Sequence, residues 1–244
     1  MAIAYKMTTC NITGTSTMSN KLTITLAAAA TTLLMAGSAN AVVIDFAHTW
    51  DGDNVPTSSV SGANVNSFNS GVSDWSGSDP VSSSTLNPFN VVTGSVSGQY
   101  AAPHITDGSA AGTDDPTPYY TVPRVEGSDS LTLEFGDAYN YFGLFWGSID
   151  DYNTIEFLLD GLSVASFDGN GVTNPADGNQ QAPSTNTYVN FSDLTYDEVR
   201  FSSSQFAFEF DNIAVAQVPE PAALGMFGVG LLGLGLTYRR RKAA

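Results

Sequence analysis

A chain of 244 residues with 8 basic and 24 acidic side chains, formal net charge −16, repels a phosphate backbone, which excludes nucleic-acid binding. The single cysteine, Cys10, lies near the N-terminus, so no disulfide framework, zinc–thiolate centre or thiol nucleophile can exist further along. The charge is unevenly placed: residues 42–217 hold 23 acids against only Arg124 and Arg200, a formal −21, while the other basic residues sit at the two ends.

The first element is a leader. Lys21 is followed by an apolar stretch, residues 22–36, and then by Ala39-Asn40-Ala41. A short basic start, an apolar core of about 15 residues and an A-x-A site are the build of a cleaved signal peptide, and the apolar part is shorter than the roughly 20 residues of a spanning helix. Cleavage after Ala41 leaves Val42 as the first mature residue, and Met18 is the expected true start.

Residues 42–217 are long enough for one domain with a sizeable core. Residues 51–120 are crowded with Ser, Gly, Asn, Asp and Pro, which punctuate turns. The clearest strand there is 91–96, and residues 58–84 read as a mobile surface loop or a long connection. The second half alternates with period two: Leu131, Leu133, Phe135; Phe142, Leu144, Trp146; Ile155, Phe157, Leu159; Phe206, Phe208, Phe210; then Ile213 and Val215. Such alternation predicts half-buried strands, with Glu134, Glu156 and Glu209 facing outward. Asp160-Gly161 predicts a tight hairpin turn. With no amphipathic helix in sight, the expected fold is all-β, an antiparallel β-sandwich of jelly-roll type.

The C-terminal segment, residues 218–244, starts with Val218 and Pro219-Glu220-Pro221, runs through a charge-free apolar stretch at 222–238, and closes on Arg239, Arg240, Arg241 and Lys242. Seventeen helical residues span roughly 25 Å, enough for a thin bilayer, and the basic cluster acts as a stop that stays cytoplasmic. These three parts, in this order, resemble the PEP-CTERM sorting signal of Gram-negative bacteria. The resemblance implies recognition and cleavage near the motif by exosortase, a membrane transpeptidase. It also implies anchoring in the inner membrane before processing, a cell-surface or extracellular destination, and a role among the exopolysaccharide and matrix components of such bacteria. Residues 141–160 and the closing FEFDNIAV at 208–215 are similar to the outer domains of many proteins with this tail, and the latter also resembles the last strand of carbohydrate-binding jelly rolls.

Chemistry is sparse. Gly94-Ser95-Val96-Ser97-Gly98 approximates a nucleophile elbow with its serine misplaced, and His48 and His104 lie in unrelated contexts. A glycosidase needs two carboxylates across a cleft, which spacing along the chain does not reveal. Oxygen ligands cluster at Asp51-Gly52-Asp53-Asn54, Asp150-Asp151 and Asp168-Gly169-Asn170, none completing an EF-hand. A structural calcium site, if built, is expected at Asp211 with a loop carboxylate such as Asp168. Trp50, Trp75, Tyr119 and Tyr120 lie in polar, loop-like segments and are the candidate sugar contacts. The expected function is that of a non-enzymatic surface or matrix protein associated with exopolysaccharide. A carbohydrate-binding module is the first alternative and a secreted polysaccharide hydrolase the second.

Overall fold

A computed structural model describes residues 41–106, 112–123 and 129–219, all within one compact unit that begins at Ala39. The leader ahead of Ala41 and the apolar stretch 222–238 lie outside the described residues. The first half of the domain contributes nine short strands: β1 (Val43–Asp45), β2 (His48–Trp50), β3 (Pro56–Ser58), β4 (Asn64–Asn66), β5 (Val81–Ser84), β6 (Val91–Val92), β7 (His104–Ile105), β8 (Thr113–Asp114) and β9 (Tyr119–Val122). The second half contributes five longer ones: β10 (Asp129–Gly147), β11 (Asn153–Leu159), β12 (Leu162–Asp168), β13 (Thr187–Ser203) and β14 (Phe208–Ala216). The only described α-helix is one turn, α1 (Gly169–Val172). The fold is all-β, and every strand pairing is antiparallel.

Two long strands organise the sheet. β10 and β13 pair along nearly their whole length, with register shifts between Glu134 and Tyr139 and between Tyr139 and Tyr141. Bulges of this kind bend a strand and let it serve two leaves. On one side of the bend, β10 pairs β5 and β13 pairs β11, which continues to β12. On the other side, β13 pairs β1 and β10 pairs β14, which continues to β9 and β6 and also takes β4. The two leaves pack face to face through aromatic rings. Phe201 of the first stacks on Phe210 of the second at 4.5 Å between centroids, and Phe157 meets Phe191 at 5.1 Å and Phe142 at 5.7 Å.

Period two holds where one face meets the core: Leu131, Leu133, Phe135, Ile155, Phe157, Val199 and Phe201 are buried. The hairpin between β11 and β12 turns at Asp160 and Gly161, both left-handed (φ 52 and 74), as an Asp-Gly pair favours. The second leaf departs from simple alternation, because β14 is buried at all nine positions. Its outer face is roofed by the segment bearing β2 and β3 and by residues 101–106 and 112–117; Val55 and Ile105 of this roof form a separate small cluster with Phe145 and Tyr188 of the leaf. Gly143 has no side chain because the Tyr141 and Tyr188 hydroxyls occupy the space a Cβ would need.

Two expectations are corrected here. Residues 58–84 are a hydrogen-bonded segment carrying β4 and β5: Asn66, fully buried, accepts from the amides of Phe68 and Asp74 and donates to Val72 O. Phe68 from the same stretch is fully buried against Tyr120 and Phe210. Polar side chains that bond their own backbone fold such a segment without an alternating pattern, which hid it in the sequence. The strand expected at 91–96 ends at Val92, shortly before Gly94 takes a left-handed φ of 70.

Candidate functional site

A group of buried polar side chains, Asp115, Thr117, Ser148, Glu209, Asp211 and Asn212 among them, lies on or against β14. β14 carries a bulge: Gly143 pairs Ala214 but Phe145 pairs Asp211, so β14 has one residue more than β10 between them. Asn212 takes the left-handed conformation (φ 47) that absorbs the extra residue. Phe210 and Ile213 lie in the core between the leaves, while Asp211 and Asn212 bond to groups in the roof.

Asp211, 1% exposed, meets Asp115, 2% exposed, across the hydroxyl of Thr117. Thr117 Oγ1 lies 2.5 Å from Asp115 Oδ1 and 3.2 Å from Asp211 Oδ2, and the Thr117 amide donates to Asp115 Oδ1 at 2.8 Å. Burial raises both carboxyls, Asp211 well above its ordinary value with the negative Asp115 adding to the rise. Asn212 Nδ2 donates to Asp51 Oδ2 (2.8 Å) and Pro56 O (3.1 Å), tying the bulge to the turn between β2 and β3. Asp115 Oδ2 and Asn212 Oδ1 are buried without a hydrogen-bond partner.

A separate cleft of about 600 Å³ is lined among others by Gln99, Tyr100, Asp150, Tyr152, Gln180 and Glu209. Glu209 Oε1 accepts from the Ala101 amide at 2.8 Å; Oε2 and the neighbouring Ser148 Oγ close no hydrogen bond. Full burial pushes the Glu209 carboxyl up to about 8. Tyr152 Oη lies 2.6 Å from Asp150 Oδ2 and 2.7 Å from Phe206 O. A phenol has one hydrogen, so both contacts are hydrogen bonds only when Asp150 is protonated, and burial raises the Asp150 pKa in that direction.

The residues singled out in the sequence are scattered. Tyr119 and Tyr120 are fully buried: Tyr119 donates to Gly94 O, Tyr120 accepts from the Asn87 amide and stacks on Phe210, so neither offers a ring to a sugar. Trp75 packs half-buried against the core. Trp50 is 40% exposed and carries His48 edge-on, but it lies outside the cleft. Asp211 has a loop carboxylate beside it, but this is Asp115; the Asp168 side chain instead caps α1 by accepting from the Gly171 amide. Glu209 faces inward under the roof, against the outward expectation, whereas Glu156 and Glu198 flank Arg200 at the outer surface of the first leaf. His104 binds Asp114 through Nδ1 while its Nε2 is packed against Gly112, so the imidazole does not face Ser95, whose Oγ accepts from Ala102.

β14 ends at Ala216, and the next residues are still held by the sheet. Asn140 in β10 grips Val218, donating from Nδ2 to Val218 O (2.7 Å) and accepting at Oδ1 from its amide (2.6 Å). Pro219 follows, exposed. Residues 217–242 match the family model of the PEP-CTERM protein-sorting motif. This tail is a PEP-CTERM sorting signal. It marks an exported chain that is membrane-anchored before processing by exosortase, the expectation drawn from Pro219, Glu220, Pro221 and the terminal basic cluster. The last described strand, β14, ends at Ala216, and the PEP-CTERM match begins on the next residue. Glu220, Pro221, the stretch 222–238 and Arg239, Arg240, Arg241 and Lys242 lie outside the described residues, as does Ala39; Ala41 is the first residue described. Among the described residues no helix is long and apolar enough to cross a membrane. No curated protein matches the chain.

Proposed function

We propose that the chain is an exported bacterial surface or extracellular-matrix protein, non-enzymatic and associated with exopolysaccharide, whose domain is a jelly-roll-type β-sandwich delivered by its PEP-CTERM tail. The observation that carries this reading is the sorting motif at 217–242, beginning on the residue after β14. In this reading the leader is removed after Ala41, the stretch 222–238 holds the precursor in the inner membrane, and exosortase acts near the Pro-Glu-Pro. Intact mass and cell fractionation in the native host test it. A mature form lacking residues 1–41 and the segment after Pro221, found at the surface or in the medium, is expected. A form that keeps residues 222–244 and does not change when exosortase is deleted overturns it.

A second reading, a carbohydrate-binding module, is favoured by the cleft. Its lining combines two phenol rings, Tyr100 and Tyr152, with the amides of Gln99 and Gln180 and the Asp150 carboxyl. Aromatic faces and planar polar groups are the surface a sugar ring recognises. Binding of the host's own exopolysaccharide by the full chain, weakened at least tenfold in Tyr100→Ala, is expected; unaltered binding in that variant places the contact elsewhere.

A further inference from the structure

Asp115 and Asp211 lie on one side of the second leaf with Asn212, and the three residues are 2%, 1% and 1% exposed. They present more buried acceptors than there are hydrogens to fill them. The donors in the cluster are the Thr117 hydroxyl, shared between both carboxylates, and the amides of Thr117 and Asn212. The Asn212 side-chain amide is already spent on Asp51 and Pro56. Asp115 Oδ2 and Asn212 Oδ1 are left over. An orphaned buried acceptor costs free energy of the size of a lost hydrogen bond or more, and a buried carboxylate without a counter-charge costs more still. No described ion pair reaches either aspartate, and Arg200 is engaged by Glu156 and Glu198 on the other leaf.

A proton shared between the two carboxyls would relieve their repulsion but would leave the Asn212 oxygen unfilled. A cation has no directional demand and serves several oxygens at once. We propose that Asp115, Asp211 and Asn212, with the Thr117 hydroxyl, bind one Ca²⁺ ion that clamps the β14 bulge to the 115–117 loop. The donors are all hard oxygens, which suits Ca²⁺ with its flexible coordination and excludes a site built for zinc. Among the described residues no three His, Cys, Asp or Glu side chains form a metal-holding group, so the ion rests on two carboxylates supplemented by neutral oxygens. Asp51, bonded to Asn212 and close enough to raise Asp115, adds a third negative charge to the field without being a ligand. Because Asn212 is tied to Asp51 and Pro56, the ion would also stiffen the turn between β2 and β3.

The test uses the full chain, stripped with a chelator and returned to near-neutral buffer at physiological salt. Calcium titration calorimetry should give one site per chain. At a hundredfold excess over Kd the melting temperature should rise by about 5–10 °C. Asp115→Asn and Asp211→Asn keep side-chain shape and remove repulsion, so both should fold; each should weaken binding at least tenfold, whereas Asp168→Asn should leave it unchanged. Terbium luminescence, excited through the buried Tyr and Trp rings of the leaf, provides a second readout in any variant whose melting is altered. Absence of calcium binding by the wild type at millimolar concentration overturns the proposal and leaves a shared proton as the resolution. Binding that survives both Asp→Asn changes also overturns it.

Discussion

The Asn140 side chain takes both backbone polar groups of Val218, acting as a one-residue strand partner for the chain as it leaves the sheet. Gln217 is held as well, its amide donating to Ala138 O. The bonds are exposed, so each contributes little to global stability, but together they hold residues 217 and 218 against β10. Asn140→Ala should lower stability by less than about 1 kcal/mol. It should nevertheless speed protease cleavage around residues 217–219 several-fold, measured by mass spectrometry of timed digests. An unchanged cleavage rate would mean that Val218 is not held by Asn140 in solution.

Glu209 makes the domain sensitive to alkali. Its carboxyl is raised to about 8, so the folded state binds a proton that the unfolded chain has released above its ordinary pKa near 4.5. Stability from this group is therefore full at acidic pH and falls as pH rises towards about 8, with a total loss of about 3–5 kcal/mol. Glu209→Gln keeps an acceptor for the Ala101 amide and turns a donor towards Ser148. Chemical denaturation across pH 5–9 should show the alkaline decline in the wild type and a flatter profile in the variant.

The inter-leaf core depends on Phe201, fully buried and in contact with Phe142, Phe208 and Phe210. Phe201→Ala should cost about 3–5 kcal/mol, the usual range for emptying such a site. Leu162, 72% exposed beside the Asp160-Gly161 turn, should tolerate Leu162→Ser within about 0.5 kcal/mol. Urea midpoints of the two variants decide the contrast.

At the bulge, Asn212→Gly and Asn212→Val separate backbone from side chain. Glycine accepts the positive φ but loses the bonds to Asp51 and Pro56, at a cost of about 1–3 kcal/mol. Valine loses the same bonds and is β-branched in a left-handed conformation, so it should be the less stable of the two by a further 1 kcal/mol or so. Equal midpoints would show that the backbone at residue 212 relaxes freely.

The long strands were legible because one of their faces meets the core, and there period two survives: Leu131-Leu133-Phe135 and Ile155-Phe157 read directly. So did the Asp160-Gly161 turn, whose chemistry is local. The bulge was also written in the chain, since Phe210 and Ile213 are three apart where alternation needs two. Tyr119, Tyr120 and Glu209 were misplaced for one reason: a sheet face roofed by loops buries both sets of alternate residues, and polar loop sequence does not announce that it covers anything. Asp115 was invisible for a related reason. Its partner Asp211 is 96 positions away, and only the pairing of β14 with β9 brings that loop beside the bulge.

For a chain held by its tail, the route of exit from the fold decides how the domain bears a mechanical load. β14 is an interior strand, hydrogen-bonded to β10 on one side and to β9 and β4 on the other. A pull transmitted through Val218 runs along the strand axis, so the flanking ladders are strained in shear and must yield together. An edge strand pulled sideways would instead peel open one bond at a time. Pulled in this direction, the domain should resist load better than its thermodynamic stability alone would suggest.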